Sequence, residues 1–165
     1  MAFPSPSMNQ LIRNPVHFLA FGFGSGLSPK APGTAGTLVA MLLWPLLAGL
    51  PLEIYLAIVA VVSVGGFYLC GKTASDLGVH DHPGIVWDEI AGYWLAMAAI
   101  PCTWYWMLAG FVLFRLFDIW KPWPISWLDK QVHGGVGIMV DDLLAGLFAW
   151  ILLFGAMQFG VKQWF

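Results

Sequence analysis

Residues 114–146, FRLFDIWKPWPISWLDKQVHGGVGIMVDDLLAG, concentrate charge in a chain that carries little of it. Charged residues make up only 10 % of the 165 residues. Those of this segment are Arg115, Asp118, Lys121, Asp129, Lys130, Asp141 and Asp142. A carboxylate inside a membrane helix costs about 2.5–3.5 kcal/mol on insertion scales, so acids at membrane helix ends indicate a functional site. Ordinary loop charges at a membrane surface are the alternative interpretation.

The rest of the composition is that of an integral membrane protein. Hydrophobic residues account for 59 % of the chain and aromatic residues for 16 %, with a mean hydropathy of +0.78. Soluble domains are about 45–50 % apolar. The net charge of −2 offers no basic surface, which excludes nucleic acid as a partner. We expect one membrane-embedded domain over residues 1–165, with a mobile tail over residues 1–13 and no removable signal peptide.

The N-terminal third predicts an interfacial helix followed by a membrane span. Asn14 reads as a helix cap and Pro15 as a first-turn proline, and the apolar residues that follow are too few to cross a bilayer. The uncharged residues 31–52 predict span one, with Thr34 as its cap and a kink at Pro45. Residues 54–71 predict span two, closed by Lys72.

Two polar loops flank these first spans. Residues 22–37, GFGSGLSPKAPGTAGT, combine glycines with Ser25 and Lys30, which could bind phosphate together with backbone N–H groups. No Walker-type spacing is present, and a flexible turn explains the segment equally well. The second loop contains His80, Asp81 and His82, for which a solvated loop is favoured over a metal site.

The 25 uncharged residues 90–114 decide the topology. A single span would place the basic loops on both sides of the membrane, whereas a hairpin broken at residues 101–103 keeps almost all lysines and arginines on one side. Short loops rich in lysine and arginine prefer the cytoplasm, so we expect a hairpin of residues 85–100 and 103–120. Asp88 and Glu89 then lie one turn inside span three, at the cytoplasmic face.

The C-terminal third predicts an interfacial segment, a glycine turn at residues 133–137 and span five over residues 138–160, again with two acids one turn inside. Gly92 and Gly146 each follow an acid by four positions, on the same helix face, so the two helices can approach closely there and bring their acids together. The predicted fold is an all-α integral membrane protein of about five membrane-embedded helices, the third and fourth as a short hairpin, plus an N-terminal interfacial helix.

Acids that meet in this way require a compensating cation, because they cannot all stay ionised side by side at low dielectric. The four are Asp88, Glu89, Asp141 and Asp142. Oxygen ligands without cysteine favour Mg²⁺ or Mn²⁺ over zinc. Cys70 and Cys102 lack metal-ligand spacing and are expected to be small buried hydrophobes. Mg²⁺ commonly binds substrate phosphate beside one or two carboxylates.

Cations accompany the acids. Arg115, Asp118 and Lys121 recur every three residues near one helix face, and the two basic side chains can hold phosphate oxygens. An i,i+3 ion pair that merely ends the helix is the alternative for Arg115 and Asp118. Acids, a metal and cations at the level of lipid headgroups suggest phosphoryl chemistry on a lipid. A small ion or proton translocator remains the alternative class, although it would need ionisable groups along the spans.

Three segments carry a family resemblance: GFGSGLSPKAPGTAGTL, GVHDHPGIVWDEIAGYW and the segment of residues 114–146. In this order they resemble the characteristic segments of the phosphatidylglycerophosphatase A family. The resemblance implies a Mg²⁺-dependent phosphatase of the bacterial inner membrane, with several spans and a cytoplasmic active site, that converts phosphatidylglycerophosphate to phosphatidylglycerol.

The resemblance also assigns residues to roles. Those matched to the family's main segments are Asp88, Glu89, Arg115, Asp118, Lys121, Asp141 and Asp142. We expect the acids to be catalytic, with Asp88, Glu89, Asp141 and Asp142 as metal ligands. The substrate phosphate would be bound by Arg115, Lys121, Lys30 and Ser25, and the secondary candidates are His80, Asp81 and His82.

Overall fold

The computed structural model describes residues 6–79 and 82–161, and the secondary structure of these residues is helical. The first helices are α1 (Met8–Arg13), α2 (Pro15–Ala20), a 3₁₀ segment (Gly22–Leu27), α3 (Pro32–Leu43) and α4 (Pro45–Ala48). They are followed by α5 (Leu52–Leu77), α6 (Trp87–Ala96), α7 (Trp104–Trp120), α8 (Ile125–Gln131) and α9 (Gly134–Val161).

The short helix α6 lies at the centre of the fold. It contacts α3, α5, α7 and α9, and its residues Ile90, Ala91 and Tyr93 are fully buried. The Tyr93 hydroxyl donates a hydrogen bond to the carbonyl of Met107 in α7, and the Trp94 indole donates to the carbonyl of Ala40 in α3. These bonds satisfy polar groups that burial would otherwise leave unpaired. The two acids of α6 are therefore held on a rigid element.

Several sequence predictions about the helices are confirmed. Asn14 caps α2, because its Oδ1 accepts hydrogen bonds from the backbone N–H groups of Val16 and His17. The helix break at residues 101–103 separates α6 from α7, and Pro45 divides the predicted first span into α3 and α4. A proline removes one helical hydrogen bond and clashes with the preceding turn, which accounts for the second break.

Other predictions differ from the structure at helix ends. Part of the tail expected over residues 1–13 is helix α1, which begins with a capping box between Ser7 and Gln10 and buries Leu11 completely. Ala31, not Thr34, precedes the first residue of α3. Helix α5 continues past Lys72, whose ammonium pairs with Asp76 one turn further on.

Two of the described helices, Leu52–Leu77 and Gly134–Phe159, are long and apolar enough to cross a membrane. Helix α6 has only 10 residues, or about 15 Å, which is half the thickness of a bilayer core. It begins at Trp87, so Asp88 and Glu89 lie in its first turn. The described residues thus include two helices of spanning length, and the number of about five membrane-embedded helices predicted from the sequence is not confirmed.

Candidate active site

The charged residues singled out by the sequence line one cavity of about 380 Å³. Its walls come from the start of α3, the loop before α6, the first turn of α6, the end of α7 and the N-terminal part of α9. The charged lining residues are Asp88, Glu89, Arg115, Asp118, Lys121, Asp141 and Asp142. Residues that lie up to 54 positions apart in sequence therefore meet at one place.

Three carboxylates form the tightest group in the cavity. Asp88, Glu89 and Asp142 each offer an oxygen that lies within 4.8 Å of the other two. The group is largely withdrawn from solvent: Asp142 is 3 % exposed and the side chain of Glu89 is 12 % exposed. Within the described part of the chain, Oε2 of Glu89 and Oδ2 of Asp142 are buried and accept no hydrogen bond. Buried acceptors without donors are costly unless a cation satisfies them.

Two glycines bring these carboxylates together. A Cβ atom added to Gly92 would lie 2.6 Å from the carbonyl oxygen of Asp142, and one added to Gly146 would contact the carbonyl oxygen of Gly92 even more closely. Real Cβ atoms essentially never approach so closely. The prediction that Gly92 and Gly146 allow close contact of their helices is confirmed.

Asp141 has a different partner from its neighbour Asp142. The ammonium of Lys121 donates hydrogen bonds to Oδ2 of Asp141 at 2.6 Å and to Oδ1 of Asp129 at 2.7 Å. Burial opposes the charge of Lys121, but the hydrogen bonds to the two carboxylates outweigh it and raise the pKa of the lysine above its ordinary value. Lys121 is therefore cationic, and it connects α8 and α9 at the edge of the cavity.

Arg115 is held by acids on two helices. Its Nη1 lies 2.5 Å from Oδ2 of Asp118 in α7 and 3.7 Å from Oε1 of Glu89 in α6. Gly33, in the first turn of α3, passes close to the same groups, because a Cβ atom there would contact Oε1 of Glu89 and lie 3.0 Å from Nη1 of Arg115. The backbone of α3 thus forms a wall of the cavity next to the arginine.

The other predicted residues that the structure describes lie outside this lining. Ser25 Oγ is buried and has no hydrogen-bond partner among the described residues, and Lys30 is exposed immediately before the lining residues Ala31, Pro32 and Gly33. His82 is buried against Phe21, and its Nδ1 accepts a hydrogen bond from the N–H of Gly84. His80 and Asp81 lie outside the described residues.

Sequence reasoning gave no role to Asp129 or to Gly33. The only signal for Asp129 is its place in the charged segment, eight residues after Lys121. Gly33 lies between a proline and a threonine in a segment that already reads as a turn. Glycine has no side chain, and only the fold shows that Glu89 and Arg115 occupy the space that a side chain at residue 33 would need.

An all-helical, strongly apolar chain whose cavity joins clustered carboxylates to an arginine and a lysine has the features of a membrane-associated phosphoryl-transfer enzyme. The family model described as Phosphatidylglycerophosphatase A matches residues 18–157. The chain belongs to the phosphatidylglycerophosphatase A family, and it is a phosphoric monoester hydrolase of phospholipid synthesis.

Relatives from three bacteria are similar to this chain, and two of them carry the name of the family. A phosphatidylglycerophosphatase A of Escherichia coli (strain K12) is 54 % identical over 137 residues, which cover 82 % of this chain and 80 % of the relative. One from Haemophilus influenzae is 50 % identical over 148 residues, 88 % of this chain and 90 % of the relative. A putative phosphatidylinositol-3-phosphatase of Bacteroides thetaiotaomicron is 42 % identical over 140 residues, 80 % of this chain and 87 % of the relative. No solved structure matches the chain.

Proposed function

We propose that this protein hydrolyses phosphatidylglycerophosphate to phosphatidylglycerol and phosphate, and that it requires Mg²⁺ held by Asp88, Glu89 and Asp142. The observation that carries the proposal is the grouping of these three carboxylates in the same cavity as Arg115 and Lys121. The relatives named phosphatidylglycerophosphatase A support the choice of substrate.

The donor set of the three carboxylates fits a hard divalent cation. It consists of oxygens without sulfur or imidazole, and two of the buried oxygens, on Glu89 and Asp142, accept no hydrogen bond from the described residues. Such a set favours Mg²⁺ or Mn²⁺. When bound there, Mg²⁺ would supply neutralisation of phosphate charge and orientation of a water for attack on phosphorus.

The protein's own cations bind the rest of the phosphate. Arg115 lies between Glu89 and Asp118, so its guanidinium is oriented toward the cavity before substrate arrives. Lys121 supplies a second positive charge at the edge of the cavity. Asp141 was expected as a fourth metal ligand, but since its carboxylate binds the ammonium of Lys121, we assign it the role of orienting that lysine. Positioned cations of this kind supply much of the catalysis in phosphoryl transfer.

We propose a multi-pass topology in the bacterial inner membrane, with the cavity at the cytoplasmic face. Arg115, Lys121 and Lys130 lie at the same end of α7 as the cavity, and short basic segments favour the cytoplasm. Trp120, Trp123 and Trp127 are exposed at this end and suit the headgroup region. The cavity would therefore lie at the depth of the lipid headgroups, where the phosphate of a lipid substrate is located.

The test is phosphate release by the purified protein in detergent micelles. Phosphatidylglycerophosphate, phosphatidate and phosphatidylinositol 3-phosphate are compared, with and without EDTA. We expect release from phosphatidylglycerophosphate that EDTA abolishes and added Mg²⁺ restores. Equal or faster release from one of the other lipids would contradict the substrate, and activity unaffected by EDTA would contradict the metal. Ion flux in proteoliposomes without release from any lipid would favour a translocator.

A further inference from the structure

One face of α7 carries a continuous stripe of exposed apolar side chains. They recur at spacings of three and four residues and are Tyr105, Leu108, Val112, Leu116 and Ile119. Each is at least half exposed. At 100° per residue they fall within an arc of about 80°, while Gly110 and Phe114 on the opposite side are buried. The stripe runs from the first turn of α7 toward the end of the helix that carries Arg115 and Asp118.

The stripe ends at the catalytic cavity. Ile119 is 71 % exposed, yet it lines the cavity together with Arg115 and Asp118. Its side chain therefore borders both the charged interior and the apolar surface. The phosphate-binding charges and the apolar stripe are neighbours on one helix, with no intervening polar residue on the stripe face.

Other apolar surfaces of the described chain lack this continuity. Leu42 on α3, Val61 on α5 and Ile151 on α9 are exposed, but none of them lines the cavity. An apolar hollow of about 420 Å³ is lined by α5 alone, between Glu53 and Val62. Among the described residues, Ile119 is the only exposed large apolar side chain in the lining.

We propose that the stripe of α7 binds an acyl chain of the lipid substrate while the cavity holds its phosphate. This inference rests on the proposed function, because it requires a phosphorylated lipid at the cavity. From Ile119 back to Leu108 the helix rises by about 16 Å, so a long acyl chain can lie against most of the stripe. A short acyl chain reaches only the end of the stripe at Ile119. We therefore expect the protein to prefer substrates with long acyl chains.

The first experiment compares two substrates with the same phosphorylated headgroup, phosphatidylglycerophosphate with long acyl chains and with short ones. The variants are Leu116→Ser and Val112→Ser, and the controls are Leu42→Ser and Ile151→Ser, which replace apolar residues that are at least as exposed as Leu116 and lie away from the stripe. We expect the ratio of kcat/KM for the long-chain over the short-chain substrate to fall about three- to tenfold in the stripe variants. The controls keep the wild-type ratio.

A second measurement does not depend on variants. A long-chain substrate analogue with a diazirine near the end of one acyl chain is photolysed with the wild-type protein in micelles. We expect labelling within residues 105–116, suppressed by unlabelled long-chain substrate. Equal labelling of α3, α5 and α9, or a wild-type ratio in both stripe variants, would overturn the proposal.

Two further results have separate meanings. If the wild-type protein released no phosphate from either substrate, the proposed function itself would fail. If the stripe variants changed the protein from dimer to monomer in detergent and left the substrate ratio unchanged, the stripe would be an interface between two copies of the chain, and the acyl-chain assignment would be wrong.

Discussion

Gly33 shows how one backbone position controls the charges of the cavity. A Cβ atom at this residue would contact Oε1 of Glu89 and lie 3.0 Å from Nη1 of Arg115. Gly33→Ala should therefore displace the arginine or the glutamate, and since small misplacements of positioned groups are costly, we expect phosphate release to fall by about 10- to 100-fold. Phosphate release measured beside thermal melting separates this loss from unfolding.

Gly65→Ala is the matched control for this substitution. Gly65 lies within α5, and a Cβ atom there would meet no atom of the described residues within 4 Å. Alanine is preferred over glycine in a helix interior by about 0.8–1.0 kcal/mol, so this variant should keep full activity and melt no earlier than wild type. Wild-type activity of Gly33→Ala would contradict the close contact at α3.

The sequence predicted which charged residues lie together in the cavity better than how they pair. Charge is so scarce that Asp88, Asp141 and Asp142 stand out by composition alone. Adjacent residues on a helix point about 100° apart, so Asp141 and Asp142 can have different partners: Asp141 pairs with Lys121, and only Asp142 joins the carboxylates of α6. Which one does so depends on the rotation of α9 about its axis, and this is set by tertiary packing that no local pattern contains.

At the scale of elements, the contact between α6 and α9 brings the carboxylates together. Gly146→Ala would place a Cβ atom against the backbone of Gly92 and force the two helices apart. We expect a loss of about 1–3 kcal/mol of stability, as for other overpacked sites, together with reduced apparent affinity for Mg²⁺. Thermal melting and activity against Mg²⁺ concentration measure the two effects.

Gly155→Ala, later in the same helix, provides the comparison. A Cβ atom at Gly155 would meet no atom within 4 Å in the part of the chain that the structure describes, so this variant should retain wild-type melting and Mg²⁺ dependence. If both alanine variants behaved alike, close approach at Gly146 would not be what holds the acids together.

Helix breaks were predicted more accurately than helix starts. The proline at residue 101 and its neighbours indicated the break between α6 and α7 correctly. The glycines at residues 134–137 predicted a turn, yet they form the first turn of α9. The reason is packing: a Cβ atom on Gly135 would contact the carbonyl of Phe67 and the backbone of Gly71 in α5. Glycine at this position lets α9 pack closely against α5, and this packing outweighs the low helix propensity of glycine.

For the whole molecule, the orientation of α7 decides the topology. Cys70 is buried as expected, but Cys102, which was also expected to be buried, is exposed just before α7. Gln131 is exposed at the end of α8, beyond the other end of α7. In a Cys70→Ser background, a membrane-impermeant thiol reagent should label Cys102 in intact cells. With Cys102 also replaced, Gln131→Cys should be labelled only after permeabilisation. The reverse pattern would place the cavity outside the cytoplasm.

The class of the protein could be predicted from the sequence, but the number of helices that span the membrane could not. Apolar composition and clustered acids predicted an all-α membrane protein that carries out phosphoryl chemistry on a lipid. The resemblance of three segments to a known family implied a phosphatase, and the family assignment confirms this enzyme class. The number of spanning helices was not predictable from apolar runs. The apolar side chains of helix α6 are buried against other helices of the protein. An apolar run in the sequence can therefore form part of the protein core instead of a helix that contacts lipid.

The central claim is that the three carboxylates hold the metal while Arg115 and Lys121 hold the phosphate. Phosphate release from phosphatidylglycerophosphate, measured against Mg²⁺ concentration for Asp142→Asn and Lys121→Met, tests it most directly. We expect Asp142→Asn to require about tenfold or more Mg²⁺, because it loses a charged ligand, and Lys121→Met to turn over more slowly at nearly unchanged Mg²⁺ dependence. Both variants must melt as folded proteins. If Mg²⁺ rescued Lys121→Met, while Asp142→Asn bound Mg²⁺ normally and stayed inactive at every concentration, the assignment of Asp142 as a metal ligand would be contradicted.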